Sequence, residues 1–110
     1  MERSPEKALR RLFTSREIEY CQKRRNSVPC LAMRFSAKEA FAKALGTGIG
    51  KSVGWKDVEV RPDNLGKPEI RLSEKVEKLL NEQGIISWHI SLTDDGAYGA
   101  AVVILEKRED

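Results

Sequence analysis

The chain has 110 residues, which is enough for one small domain built around a single hydrophobic core. Charged residues make up 34% and hydrophobic residues 40%, a globular balance, and no apolar run approaches the roughly 20 residues that a membrane helix needs. The net charge of +3 suits an acidic partner or a phosphorylated ligand, and because no basic stripe with interleaved aromatic residues is present, we expect no binding to nucleic acid. The polar start of the chain shows no signal peptide, so we expect one cytoplasmic domain over residues 1–110 that does not bind a membrane.

The first part of the chain predicts three helices. Ser4 and Pro5 suit the N-cap and first position of a short helix, and residues 14–17 have the capping-box pattern that opens a second. Pro29 suits the first residue of a third helix, which runs to Leu45 because Leu31, Phe35, Ala42 and Leu45 recur at helical spacing. Gly46 follows in the position of a helix-ending glycine.

The next part predicts a hairpin and a fourth helix. Residues 58–60 and 68–72 read as strands on either side of a turn over residues 62–66. Ser73 is a good N-cap for a helix that points Val76, Leu79 and Leu80 inward and ends at Gly84. The chain therefore passes from helices to a strand pair and back to a helix.

The last part predicts a second hairpin. Residues 86–92 alternate between apolar and polar, which puts Ile86, Trp88, Ile90 and Leu92 on one face. Residues 94–96 suit a turn, and residues 98–105 read as a strand buried on both sides. The order of elements predicts an α+β fold in which an antiparallel sheet packs against one long helix.

The two cysteines carry little chemical signal in the sequence. Cys21 and Cys30 lack CxxC spacing, and the single histidine, His89, does not complete a plausible zinc set with them. Because the composition suggests a reducing compartment, we predict that both thiols are reduced and serve as small buried or half-buried apolar residues.

The strongest functional signal is the segment over residues 34–50. Glu39 and Lys43 are four residues apart and share one helix face, just before the glycines of residues 46–50. A carboxylate and a cation beside a glycine-rich turn can hold a divalent metal together with phosphate oxygens. Two structural interpretations stay open: a capping box formed by Ser36 and Glu39, or an exposed pair of Glu39 and Lys43.

Four blocks of the sequence resemble one known family. Residues 31–50, with the motif Lys-Glu-Ala…Lys-Ala-Leu-Gly-Thr-Gly, resemble the signature helix and loop of the holo-acyl-carrier-protein synthases, which are 4′-phosphopantetheinyl transferases. Residues 13–20, 64–68 and 91–103 resemble the early helix, the hairpin turn and the C-terminal hairpin of that family, in the same order. The resemblance covers almost the whole chain.

The resemblance implies an enzyme and its substrates. Such an enzyme moves 4′-phosphopantetheine from coenzyme A to a serine of apo-acyl carrier protein in a Mg²⁺-dependent reaction, and releases 3′,5′-ADP in support of fatty acid biosynthesis. It also implies a homotrimer with active sites between subunits. The carrier protein is acidic, which suits the net charge of this chain, and charge alone makes Arg10, Arg11 and Arg16 candidates for contact with it.

The resemblance also assigns roles to individual positions. Glu39 matches the metal-binding glutamate and Lys43 the lysine that contacts the coenzyme A phosphate, so these two are the candidate catalytic residues. Arg34 matches an arginine near the nucleotide. The remaining matches are a loop and a hairpin segment close to the ligand, namely Gly46, Gly48, Gly50, Lys67 and Pro68.

Two departures from the family leave an alternative open. The family's first strand, whose aspartate is a second metal ligand, has no counterpart here, so we expect roughly 15–20 further residues upstream in the natural protein. Asp94 stands where a histidine is common, and aspartate is a weaker base near neutral pH. The alternative is a catalytically impaired module that binds acyl carrier protein or coenzyme A.

Overall fold

A computed structural model of the protein describes residues 5–94 and 99–108. Its helices are α1 (Pro5–Leu12), α2 (Ser15–Gln22), α3 (Ser27–Leu45) and α4 (Glu74–Glu82), with a 3₁₀ turn at Trp55–Asp57. Its strands are β1 (Val58–Pro62), β2 (Pro68–Leu72), β3 (Ile85–Asp94) and β4 (Gly99–Lys107), paired antiparallel as β1–β2 and β3–β4. The predicted α+β architecture around one long helix is therefore confirmed. Within residues 5–94 and 99–108, no helix is both long and apolar enough to cross a membrane.

The second helix begins as its sequence predicts. Oγ1 of Thr14 accepts a hydrogen bond from the Glu17 N–H at 3.2 Å, and Oε1 of Glu17 accepts one from the Thr14 N–H at 2.9 Å. The two bonds satisfy amide groups that would otherwise lack partners at a helix start. The predicted N-cap of α1, Ser4, lies outside the described residues.

The long helix begins at Ser27 rather than at Pro29. Oδ1 of Asn26 accepts a hydrogen bond from the Val28 N–H at 3.1 Å and so caps the helix earlier than the proline signal predicts. The helix ends as predicted. Gly46 has φ +91°, and the Thr47 N–H donates to the Ala42 carbonyl at 3.1 Å in a Schellman arrangement.

The main core lies against the C-terminal half of α3. Phe41, Ala42 and Leu45 pack there with buried aliphatic side chains from the two hairpins, from α4 and from the loop that follows α3. These side chains are Val53, Val58, Ile70, Val76, Leu80 and Ile85. A smaller cluster of Phe13, Cys21 and Leu31 joins α1 and α2 to the N-terminal half of the same helix. One helix thus carries both clusters, which fixes the first hairpin and α2 relative to each other.

The second hairpin differs from its prediction in two ways. The pairing shifts register between Ile85 and Ser87, so Ile85 is buried while Ile86 is 57% exposed. Ile86 therefore does not share the face of Trp88, because a bulge changes which side each following residue faces. The rest of β3 keeps the predicted alternation.

The last strand is covered on one face only. Val103 and Leu105 pack against the main core, whereas Val102 and Ile104 are 55% and 56% exposed. The prediction of burial on both sides is wrong because α3 covers a single face of the β3–β4 hairpin in this chain. Of the turn predicted over residues 94–96, only the backbone of Asp94 falls within the described residues.

The prediction of two separate thiols is also wrong. Cys21, near the end of α2, and Cys30, in the first turns of α3, are joined by a disulfide with their Cα atoms 5.5 Å apart. That separation is typical of disulfides. The sequence gives no sign of it, because the turn between the two helices, and not any local spacing, brings the cysteines together.

Candidate functional site

A groove of about 400 Å³ lies between the start of α3, the end of α2 and the turn of the β1–β2 hairpin. We call it the hairpin groove. The residues that characterise it are Tyr20, Arg24, Cys30, Arg34, Gly66 and Pro68. Two of the residues predicted for the site, Arg34 and Pro68, therefore meet there.

Arg34 is the most unusual side chain of the groove because it is a cation with only 6% of its surface exposed. Its guanidinium lies over the ring of Tyr20, 4.5 Å from the centroid, and its Nη1 donates to the Cys30 carbonyl at 3.4 Å. Its Nε has no hydrogen-bond partner within the described part of the chain. Burial lowers the pKa of Arg34, against the opposing effects of Tyr20 and Glu17, yet a guanidinium stays charged at neutral pH.

A second guanidinium adds to the positive charge of the groove. Nη2 of Arg24 donates to the Tyr20 hydroxyl at 2.6 Å, and the Arg24 guanidinium lies 5.0 Å from the centre of the same ring. Tyr20 thus holds two cations at the groove wall. Paired guanidinium groups present several N–H donors in a planar geometry, which suits phosphate oxygens.

The predicted metal ligand and phosphate contact lie farther along α3. Glu39 and Lys43 are both exposed, about 7.5 Å and 13.5 Å beyond Arg34 along the helix axis at 1.5 Å per residue. The capping-box interpretation of Glu39 is wrong, because Ser36 lies inside α3 and not at its start. Residues 5–94 and 99–108 contain no ion pair between Glu39 and Lys43 and no group of three or more His, Cys, Asp or Glu side chains placed to hold a metal.

The glycines after α3 form an open loop. Gly46 and Gly48 have φ of +91° and +64°, a backbone conformation that only glycine adopts easily. A Cβ atom added at Gly46, Gly48 or Gly50 would meet nothing within 4 Å. The space beside each of the three glycines is therefore open, as a ligand that approaches the backbone would require.

The hairpin turn presents its backbone to the groove. Oδ1 of Asp63 accepts hydrogen bonds from the N–H groups of Leu65 and Lys67 at 2.8 and 2.9 Å, which holds the turn in shape. Gly66 and Pro68 line the groove, whereas the Lys67 side chain is exposed and is not part of its wall. The sequence prediction placed Lys67 and Pro68 together, and in the structure only Pro68 lines the groove.

The sequence interpretation missed a fully buried ion pair beside this site. Nζ of Lys38 lies 2.7 Å from Oε1 of Glu17, and it also donates to the carbonyl groups of Trp55 and Val58. Burial lowers the pKa of Lys38, and the negative charge of Glu17 opposes that shift. A signal was present, because Lys38 falls on the apolar face of α3 with Leu31, Ala42 and Leu45.

Comparison with known proteins now identifies the family. The pattern that defines the 4′-phosphopantetheinyl transferase superfamily matches residues 1–103. The chain belongs to this superfamily. The chain is 50% identical over 98 residues to the holo-[acyl-carrier-protein] synthase of Trichlorobacter lovleyi. The matched residues are 89% of this chain and 78% of that relative.

Solved structures of 4′-phosphopantetheinyl transferases have the same fold. The crystal structure of the holo-[acyl-carrier-protein] synthase from Neisseria meningitidis matches with a TM-score of 0.85 at 38% identity, over 94% of this chain and 82% of that one. A synthase from Bacillus anthracis in complex with CoA (3′,5′-ADP) matches with a TM-score of 0.76 at 34% identity, over 94% and 83% of the two chains. The predicted family, fold and enzyme class are therefore confirmed.

Proposed function

We propose that the protein transfers 4′-phosphopantetheine from coenzyme A to a serine of apo-acyl carrier protein in a Mg²⁺-dependent reaction. It releases 3′,5′-ADP and supports fatty acid biosynthesis in the cytoplasm, as one domain over residues 1–110. The observation that carries the proposal is Arg34, a nearly buried cation that lines the groove and shares α3 with exposed Glu39 and Lys43. A phosphate-rich ligand is the chemistry that such an arrangement recognises.

The hairpin groove is the proposed nucleotide site. Arg34 and Arg24 contribute positive charge, while Met33 and Pro68 contribute apolar surface on the same walls. Charged donors next to apolar walls suit a ligand that combines phosphate groups with a flat base. A bound synthase from Bacillus anthracis holds CoA (3′,5′-ADP), which supports a site for the same nucleotide in this chain.

Glu39 is the proposed Mg²⁺ ligand, with Lys43 beside it. Mg²⁺ is commonly held by one or two carboxylates together with substrate phosphates and waters, so a single exposed glutamate next to a phosphate-bearing substrate fits the ion. When bound, Mg²⁺ would neutralise charge on the pyrophosphate of coenzyme A. Lys43, one helical turn farther, supplies a compact positive charge to a phosphate oxygen.

The chain's own residues then position and assist the transfer. The serine oxygen attacks the β-phosphorus of coenzyme A, and the bond from that phosphorus to the bridging oxygen of 3′,5′-ADP breaks. Arg34, which lines the groove, would hold a phosphate there, and the backbone of the open loop at Gly46, Gly48 and Gly50 would hold another phosphate beyond the end of α3. The serine proton passes to a water beside the Glu39 carboxylate, which faces solvent.

His89 has no part in this mechanism. Its Nε2 lies 2.8 Å from Oε1 of Glu106, and both side chains are more than half exposed on the β3–β4 hairpin. Neither residue lines the hairpin groove. In the proposed mechanism the substrate proton is taken up beside Glu39 on α3.

The proposed assembly is a homotrimer with active sites between subunits. Val102 and Ile104 stand side by side on the outer face of β4 and are each more than half exposed. Large aliphatic side chains exposed in pairs on a sheet face favour contact with another chain. We expect Val102→Ser with Ile104→Ser to convert trimers to monomers in analytical ultracentrifugation, whereas wild-type monomers would contradict the assembly.

The test of the activity is intact mass spectrometry of apo-acyl carrier protein after incubation with the protein, coenzyme A and Mg²⁺. We expect a gain of one phosphopantetheine group that disappears with a chelator. Glu39→Gln should remove the gain without lowering the melting temperature, because Gln is tolerated on an exposed helix face. Glu77→Gln, also an exposed helical glutamate, is the matched control and should keep the activity. Full transfer by Glu39→Gln would refute the metal assignment.

A further inference from the structure

We propose that Cys21 and Cys30 form a reversible thiol–disulfide site, at which low-molecular-weight thiols and disulfides react with Cys30. The redox state of this site controls how well ordered the wall of the hairpin groove is. The disulfide links the end of α2 to the start of α3. The first part of the proposal stands on the geometry of the sulfur atoms alone. The second part rests on the proposed function, because it predicts a change in nucleotide binding.

The two sulfur atoms differ in access. Cys21 is fully buried in the small cluster with Phe13 and Leu31, whereas Cys30 is half-buried and lines the groove. Attack on a disulfide requires that the incoming thiolate reach one sulfur in line with the bond. Cys30 is therefore the sulfur that an external thiol reaches, and Cys21 is the one that leaves.

A cation lies next to the accessible sulfur. Nη1 of Arg34 lies 3.3 Å from Sγ of Cys30, and Arg24 lines the same groove. Positive charge near a cysteine stabilises its thiolate, which is the form that reacts in thiol–disulfide exchange. The same charge also attracts anionic thiols such as glutathione.

The disulfide closes a short segment that builds part of the groove. Residues 22–29 lie between the two cysteines, and three of them, Arg24, Asn26 and Pro29, line the groove. All three are exposed. Arg24 is held by its N–H to the Cys21 carbonyl and by its Nη2 to the Tyr20 hydroxyl, and the Asn26 side chain caps α3. Once the disulfide is reduced, the segment loses its covalent closure, and because the hydrogen bonds of Arg24 to Tyr20 and of Asn26 to Val28 are exposed to solvent, it will fluctuate more.

The exchange is balanced as follows. A thiolate attacks Sγ of Cys30 and forms a mixed disulfide, while Cys21 departs as a thiolate and takes up a proton. A second thiolate attacks the external sulfur, which yields a low-molecular-weight disulfide and frees Cys30. Two thiols are oxidised and one protein disulfide is reduced; a low-molecular-weight disulfide drives the reverse reaction.

The first test is a redox titration with reduced and oxidised glutathione, read by alkylation and intact mass. Because the chain has two cysteines in total, every thiol counted belongs to this pair. Cys21→Ala should accumulate a glutathione adduct on Cys30. Cys30→Ala is the matched control and should react much more slowly at the buried Cys21. Equal reaction of both variants, or a pair that never oxidises, would overturn the proposal.

The second test compares the oxidised and reduced protein. The probe is 3′,5′-ADP, because coenzyme A carries a thiol and would itself exchange with the disulfide. We expect binding of 3′,5′-ADP to weaken about 3- to 10-fold on reduction. This is the loss expected when one or two side chains must become ordered on binding. Cys21→Ala should bind like the reduced protein, with or without a disulfide reductant. Equal affinity in the two states would overturn control of the groove.

Hydrogen exchange separates this proposal from the proposed function. We expect the amides of residues 22–28 to exchange faster in the reduced protein whether or not a nucleotide binds. If neither state binds 3′,5′-ADP, the proposed nucleotide site is wrong, and faster exchange in this segment would still support redox control of its order. Unchanged exchange on reduction would refute that control.

Discussion

Nζ of Lys38 lies 2.7 Å from Oε1 of Glu17, and both side chains are fully shielded from solvent. The pair joins α3 to α2, and the Val60 N–H donates to the second carboxylate oxygen of Glu17 at 2.8 Å. Lys38 also donates to the carbonyls of Trp55 and Val58 at the start of β1. These bonds fix the first hairpin against α3, and so hold the two main walls of the hairpin groove in place.

Removal of one member of this pair should strongly destabilise the protein. Lys38→Met leaves the Glu17 carboxylate buried without its cation, so we expect a loss of about 3–5 kcal/mol in the free energy of unfolding, measured in urea. Adding Glu17→Gln should recover part of it, because an amide oxygen still accepts from Val60. Glu6→Gln in the exposed Glu6–Arg10 pair is the control and should change stability by less than about 0.5 kcal/mol. Wild-type stability of Lys38→Met would contradict this account of the pair.

Alanine substitutions in the glycine loop should distinguish a glycine needed for stability from one that lies close to the ligand. Gly46→Ala places a side chain at φ +91°, so we expect a loss of about 1–2 kcal/mol in unfolding free energy from the backbone alone. Gly50→Ala has neither a positive φ nor a nearby atom to clash with, so its stability should stay close to wild type. If the loop approaches the ligand, Gly50→Ala should nevertheless weaken coenzyme A binding in calorimetry. Normal binding by Gly50→Ala would exclude a close approach there.

Lys43 should act on ligand binding and not on stability. Its side chain is exposed, so Lys43→Ala removes positive charge without opening a cavity. We expect coenzyme A to bind about 10-fold more weakly, an effect of one charged hydrogen bond, at an unchanged melting temperature. Lys78→Ala, an exposed lysine on α4, is the control and should bind normally. Equal affinities for the two variants would remove Lys43 from the phosphate site.

Asp57 should make the free energy of unfolding fall at low pH. Burial by itself would raise the pKa of Asp57, but the Gly54 N–H at 2.7 Å and Lys75 at 3.0 Å outweigh it and leave that pKa below its ordinary value. A lowered pKa means that the stabilisation is complete above the unfolded pKa of about 3.9 and is lost as the pH falls through the folded value.

The corresponding measurement is the urea midpoint of Asp57→Asn at pH 7 and pH 3. We expect this variant to be less stable than wild type at pH 7, with a smaller difference at pH 3, because below the unfolded pKa of about 3.9 the unfolded chain takes up a proton that the folded carboxyl resists. Glu77→Gln, which is exposed, should not change the pH dependence. A constant difference between wild type and Asp57→Asn at both pH values would contradict the linkage.

The sequence by itself determined the elements and the family of this protein. The Thr14–Glu17 capping box, the glycine at the end of α3 and the first hairpin depend on neighbours within a few residues, so local patterns specify them. The motif around Glu39 and Lys43 was sufficient to name the family that comparison then confirmed. That Glu39 and Lys43 share one helix face also follows from their four-residue spacing alone.

Only the tertiary structure decided which side chains are buried and which ones meet. The disulfide between Cys21 and Cys30 depends on how the chain turns between two helices, and the burial of Lys38 depends on a carboxylate that lies 21 residues away, in α2. The exposure of Ile86 depends on a bulge in strand pairing. The disulfide and the bulge have no local signature, and the place of Lys38 on the apolar face of α3 indicates its burial but not its partner, because each is set by contacts between segments that only the packed core brings together.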